Sequence, residues 1–159
     1  MKKLAILLFM GTFIAACGGN SDTNTATSET SSSGSKKTET GNPSYDPERG
    51  EGKFTTVDVG ETLDVPKAAA GEKVYGVKCS SCHKLTSEKL VGPGWTGVTD
   101  RHSAVWIMNF TTNTDVMLNK DPKAQAQLEI CLVRMPNQNL SDDDARNLYE
   151  FMRRNDGVK

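Results

Sequence analysis

Apolar and polar positions follow different rules in different parts of the chain. Leu4 to Met10 form an apolar run behind Met1-Lys2-Lys3, and small or apolar residues continue it to Ala16. Residues 18–44 then contain no Val, Ile, Leu, Met, Phe, Trp, Tyr or Cys. Phe54, Val57 and Val59 suggest a short extended piece, flanked by turns at Asp46-Pro47 and Gly50/Gly52 and expected to pack on the domain surface. Beyond it the pattern is helical. A first helix is predicted from about Ala68 to Cys79, with Gly71, Val74 and Tyr75 forming a small or apolar face. A second runs from Ser103 to about Phe110. A third opens at Asp121-Pro122, Asp as N-cap and Pro in the first helical position, and reaches about Leu132. The last begins at Ser141, where Asp144 completes an S-x-x-D capping pattern and Asp142 to Asp144 fill the positive first turn. Arg153-Arg154 and Gly157 mark its end. Leu148, Phe151 and Met152 fall at i, i+3 and i+4, an inward stripe. No hairpin is credible, so the expected fold class is all-α.

These regimes divide the 159 residues into parts. Residues 1–16 read as an export leader: a basic start, an apolar run too short for the roughly 20 residues of a spanning helix, and Ile14-Ala15-Ala16 before Cys17. That ending has the form of a bacterial lipoprotein signal, with Cys17 lipidated as the new N-terminus. An ordinary signal peptide with an incidental cysteine is the alternative. Residues 17–44 would be a lipid-anchored flexible linker; twenty of the 27 residues 18–44 are Ser, Thr, Gly or Asn. Such a segment cannot bury enough apolar surface to offset its ordering entropy, and as a coil it would reach about 30 Å. Residues 45–66 are an N-terminal extension and 67–159 the folded domain.

Size and charge narrow the function. A single domain of about 100 residues has a thin core and usually needs a disulfide, metal or large cofactor to complete it. The formal net charge is −1, and residues 67–159 carry 13 Lys+Arg against 11 Asp+Glu. That balance lacks the basic footprint of a nucleic-acid binder.

Candidate chemistry sits at Cys79-Ser80-Ser81-Cys82-His83. C-x-x-C-H is the attachment pattern of c-type haem: two thiols at this spacing reach the two vinyl groups, and the adjacent His supplies a nitrogen to the iron. A thioredoxin-like dithiol would want a βαβ context, which is missing. A zinc site would want a second ligand pair, yet Cys17, Cys131 and His102 stand singly. A structural disulfide would leave His83 without a role. Haem is preferred because export and a core-starved domain agree with it.

A second axial ligand is sought among His102, Met108, Met117, Met135 and Met152. Met135 is preferred, because Pro136 forces the residue before it into an extended conformation and so presents the thioether from a loop. Met108, Met117 and Met152 lie in helix-like stretches and read as core fillers. His102 reads as a surface or capping residue.

The residues from Gly71 to Asn155 resemble the class I, mitochondrial-like cytochromes c. Cys79, Cys82 and His83 match the haem motif of that family and Met135-Pro136 its sulfur ligand. Gly71 and Tyr75 match the positions of its first helix that cross the last one, here at Leu148 and Phe151. The resemblance further implies that the carbonyl of Pro93, in Leu90-Val91-Gly92-Pro93, accepts a hydrogen bond from the His83 ring and raises its basicity. It implies Trp95 beside the haem, Trp106 in the pocket or at a propionate, and Arg101 as a propionate partner, with plain core aromatics the alternative and the preferred reading of Trp106. Lys89 to Trp95 with Gly97-Val98, and Arg134 to Ser141, are similar to small lipoprotein cytochromes of Bacteroidetes-type bacteria encoded near nitrous-oxide reductase. Cys131 departs from the pattern and reads as a small buried apolar residue.

The implied fold is a small cytochrome c of three to five helices around one covalent haem c. With both axial positions held by protein, electron transfer is favoured over substrate activation. The expectation is therefore a monomeric one-electron carrier and not an enzyme, tethered on the periplasmic side of an inner or outer membrane. It would dock redox partners transiently at the haem edge: a quinol-oxidising complex upstream and a terminal reductase or oxidase, nitrous-oxide reductase by preference, downstream. Rivals are a haem sensor or peroxidase-like enzyme with a labile Met135, and a haem-free thiol-redox lipoprotein.

Overall fold

A computed structural model describes residues 44–159; the expected leader, Cys17 and nearly all of the linker lie outside the described residues. Among the described residues there are six helices: α1 (Val65–Lys78), α2 (Val98–Arg101), α3 (Ala104–Thr112), α4 (Thr114–Lys120), α5 (Pro122–Cys131) and α6 (Asp142–Asn155). No strand is present among them; a single antiparallel bridge joins His83 and Lys89. The fold is all-α, as expected. The four helices placed from the sequence are α1, α3, α5 and α6; α2 is one turn, and α4 continues from α3 after a break at Asn113.

Helix α1 starts earlier than expected, at Val65. Asp64 is its cap, accepting a hydrogen bond from the Lys67 amide at 3.1 Å, and Pro66 occupies the first turn, where a missing N–H costs nothing. Gly71 faces α6 directly: a Cβ there would lie 2.0 Å from the carbonyl oxygen of Asn147. Only a residue without a side chain permits that approach. One turn on, the Tyr75 ring packs 5.3 Å from Phe151 and 4.9 Å from Trp95.

Helix α6 carries the expected capping box: the Ser141 hydroxyl accepts from the Asp144 amide at 3.1 Å, and the Asp144 carboxylate accepts from the Ser141 amide at 3.4 Å. Its inward stripe of Leu148, Phe151 and Met152 is buried. Glu150 and Arg153 are buried too, which apolar periodicity does not announce. They pair at 2.9 Å, and Arg153 also donates to the carbonyls of Gly60 at 2.7 Å and Thr62 at 3.4 Å. A buried ion pair is tolerable only when its remaining hydrogen-bonding capacity is met in this way. The pair thereby holds residues 60–62 on the last helix.

The segment before α1 forms turns and bends without a strand. Fully buried Asn109 on α3 pins it, accepting from the Phe54 amide at 3.0 Å and donating to the carbonyls of Arg49 at 3.0 Å and Phe54 at 2.9 Å. The extension is thus part of the folded body's wall.

Candidate functional site

The Cys82-His83 turn that follows α1, the loop at 91–96, α2, α3, α5 and α6 surround an apolar cavity of about 430 Å³. Cys82, His83, Pro93, Trp95, Arg101, Trp106 and Met135 all stand on its wall. The motif reaches it because α1 ends at Lys78 and a tight turn comes next: the amides of Cys82 and His83 donate back to the Cys79 carbonyl at 3.0 and 2.9 Å. Cys79 itself lies just off the wall, buried in the core, and burial pushes its thiol up to about 11. At neutral pH it is an uncharged, apolar group. Neither motif cysteine, nor Cys131, forms a disulfide. Among the described residues no cluster of three or more His, Cys, Asp or Glu side chains could hold a metal ion.

His83 is oriented from several sides. Its Nδ1 lies 2.9 Å from the Pro93 carbonyl, which can only accept, so Nδ1 carries the proton and Nε2 keeps its lone pair. The Tyr75 hydroxyl donates to the His83 carbonyl at 2.7 Å. Burial pulls the imidazole pKa below its ordinary value, and the Pro93 bond opposes that shift. The 91–93 segment comes this close because the amides of Val91 and Gly92 both donate to the Cys82 carbonyl, at 3.2 and 2.9 Å. Gly92 is required there, since a Cβ would lie 2.3 Å from His83 Cε1. Replacing Gly92 by valine is expected to displace the imidazole and break its bond to Pro93, read as an altered haem absorption spectrum in a protein that still folds.

Met135 approaches from another element. Helix α5 stops at Leu132, which adopts a left-handed conformation (φ 59°) and donates its N–H to the Leu128 carbonyl at 2.8 Å. The chain then runs without regular structure through half-buried Met135. Two contacts absent from any motif hold this stretch. Arg134 donates to the Asp115 carbonyl and to Asn119 Oδ1, each at 3.1 Å, and Lys78 at the end of α1 donates to the Gln138 carbonyl at 2.8 Å. A basic residue beside a Met-Pro pair is the one sequence hint of the first.

Other wall positions differ from expectation. Met152 and His102 also reach the cavity, although Met152 is buried in the core as expected, like Met108 and Met117. His102 is a capping residue, closing α2 with its amide on the Val98 carbonyl at 3.1 Å, but its ring is not on the surface: it stacks on Trp106 with ring centroids 4.0 Å apart. Burial first, then the positive charges of Lys123 and Arg101, lower its pKa to about 4. Cys131 is half-buried on the cavity wall instead of deep in the core. Trp106 donates its indole N–H to Asp121 at 3.0 Å, so that proton is already used and is not free for a propionate. Arg101 directs its guanidinium at the carbonyls of Thr96 and Gly94 from the cavity's edge.

A flat, mostly apolar macrocycle with a vinyl edge, a metal needing nitrogen and sulfur donors, and a charged edge fits this donor set. Cys79 and Cys82 are joined by one tight turn, and an imidazole with a free Nε2, a thioether and Arg101 line the same apolar cavity. An all-helical shell around such a cavity defines a c-type haem domain. The chain belongs to the cytochrome c family: the model described as Cytochrome c matches residues 68–156, more than half of its length.

Solved structures agree. The cytochrome c of Rhodothermus marinus is 30% identical, with a TM-score of 0.64 over 66% of this chain and 90% of that one. An engineered form of that protein is likewise 30% identical, with a TM-score of 0.66 over 70% of this chain and 98% of its own. The engineered form bound to a carbene intermediate has a TM-score of 0.63 at the same identity and coverage. No curated protein matches the chain. The protein is therefore a monohaem electron-transfer protein that carries one covalently bound haem c.

Proposed function

We propose that the protein is a membrane-tethered one-electron carrier whose haem is joined to Cys79 and Cys82 and ligated by His83 and Met135. When bound, the group supplies a ferrous–ferric couple that takes up and gives back one electron. The observation that carries this reading is that His83, with its Nε2 lone pair free, and Met135 line the same apolar cavity from separate elements of the chain. Pro93 fixes the imidazole's tautomer, and its acceptor bond makes the nitrogen a better donor. Trp95 and Trp106 exclude water, and a soft thioether in a dry site favours the reduced state. His83 and Met135 would together hold the iron, which would leave no open site for substrate.

The rim supports transient docking. Val91, Ile130 and Val133 line the cavity and are exposed by 38%, 60% and 54%, and Lys89 and Arg134 lie beside them. A small apolar patch with a charged edge gives a contact that forms and releases quickly. The partners that suit such a carrier are a quinol-oxidising complex as donor and a terminal reductase or oxidase, nitrous-oxide reductase above all, as acceptor.

Cys17 supplies the anchor in this reading, and the carrier works as a monomer at the periplasmic face of the membrane. No helix among the described residues is long and apolar enough to cross a membrane. In a host that matures haem c and lipoproteins, Cys17→Ser is expected to move the protein from the membrane to the soluble fraction while its absorption spectrum stays unchanged. Mixed with the purified donor complex and nitrous-oxide reductase, the wild type is expected to be reduced by one electron per chain and reoxidised. Retention of the Cys17→Ser protein on membranes contradicts the anchor; absence of electron uptake contradicts the carrier.

A further inference from the structure

Behind the Trp106 wall lies a carboxylate that the carrier reading does not use. Asp121 is fully buried. One of its oxygens accepts the Trp106 indole N–H at 3.0 Å and the Tyr45 hydroxyl; the other accepts the Ala124 amide at 2.7 Å, capping α5. All three partners are donors, so both oxygens act as acceptors. None of the three is cationic, and Asp121 belongs to no salt bridge among the described residues. An N-cap role alone requires neither Trp106 nor Tyr45.

We propose that Asp121 sets the reduction potential of the haem site, its buried negative charge acting through the Trp106 wall and trimmed by the Tyr45 hydrogen bond. The inference rests on the reading that the haem occupies the cavity Trp106 lines. A charge taken out of water is weakly screened, so its field reaches across one indole ring. Negative charge there stabilises the ferric state, which carries one more positive charge than the ferrous, and so lowers the potential. The α5 N-terminus offsets part of that charge and the Tyr45 O–H another part. Tyr45 belongs to the segment that leads in from the linker, so the docking of that segment contributes to the redox site. Asp121 is a positioning and tuning residue; it is not placed on the cavity wall.

Charge and scaffold predict different outcomes when the matured holoprotein is titrated spectroscopically. Asp121→Asn keeps the shape and removes the charge, and it is expected to raise the potential. Tyr45→Phe removes one donor and leaves the charge less compensated, and it is expected to lower it. Each change should amount to a roughly two- to tenfold shift in the electron-exchange equilibrium with a fixed partner, tenfold being about 59 mV for a one-electron couple. The axial-ligand bands should match the wild type in both variants. Shifts in the same direction, no shift in either, or loss of the axial-ligand bands overturn the proposal. If Asp121→Asn does not fold, an unchanged potential in Tyr45→Phe overturns it by itself. A wild type that lacks a haem spectrum refutes the cavity assignment instead, a distinct result.

Discussion

Replacing Met135 by alanine is expected to lower the reduction potential by on the order of a hundred millivolts or more, since axial-ligand identity alone spans about 0.8 V among haem proteins. The chain's own geometry singles this residue out. Leu132 ends α5, Arg134 ties the loop after it to α4, and Met135, packed against the edge of the core, lines the cavity from that loop. Truncation removes the sulfur and opens an axial position. The ferrous variant should then bind carbon monoxide rapidly where the wild type does not. Met152→Leu is the matching control, because Met152 reaches the same wall from within α6 and is packed in the core. It should keep the wild-type spectrum and potential. Spectra and potentials of wild type, Met135→Ala and Met152→Leu decide the ligand; an unchanged Met135→Ala contradicts the assignment. Rapid carbon monoxide binding by the wild type would instead favour a sensor or peroxidase-like role with a labile Met135.

The second large effect belongs to the scaffold. Gly71→Val is expected to cost about 3 kcal/mol, at the upper end of overpacking penalties. The added Cβ would sit 2.0 Å from the Asn147 carbonyl and 2.9 Å from the Leu148 amide, both backbone atoms that no rotamer change can move. Helices α1 and α6 must separate, and the contact of Tyr75 with Phe151 separates with them. For a domain near 100 residues this corresponds to a fall of roughly 10–20 °C in Tm. Thermal unfolding of the holoprotein checks it, and a Tm equal to the wild type's contradicts the crossing.

Local rules made much of this architecture legible. Ser141 with Asp144, Asp121 with Pro122, and Ser103 are caps whose partners lie within three or four residues, so sequence alone places them. The same holds for Cys79, Cys82 and His83, which one turn brings together. Asp64 and Pro66 are equally local signals, and they mark the start of α1 at Val65 more closely than the apolar face does. Helices α2 and α4 were not legible, because one is a single turn begun at left-handed Gly97 and the other starts at Asn113 without a side-chain cap. Neither is long enough to display a period.

What stayed hidden depends on contacts between distant residues. Tyr45 and Asp121 are 76 positions apart, and Arg153 meets Gly60 across 93. Trp106 illustrates the consequence: its place on the cavity wall is implied by the family resemblance, while the fate of its N–H depends on a carboxylate that no local pattern links to it. His102 likewise gained its place from stacking on Trp106, since the one-turn helix that delivers it carries no sequence period of its own.

The most direct measurement is the mass of the chain after expression with a haem-attachment system, taken under denaturing conditions. Cys79 and Cys82 joined to one macrocycle predict the polypeptide plus a single haem, unchanged when either Cys131 or His102 is replaced by alanine and lost as a covalent adduct when Cys79 and Cys82 are both replaced. A wild-type mass equal to the bare polypeptide contradicts the account at its root.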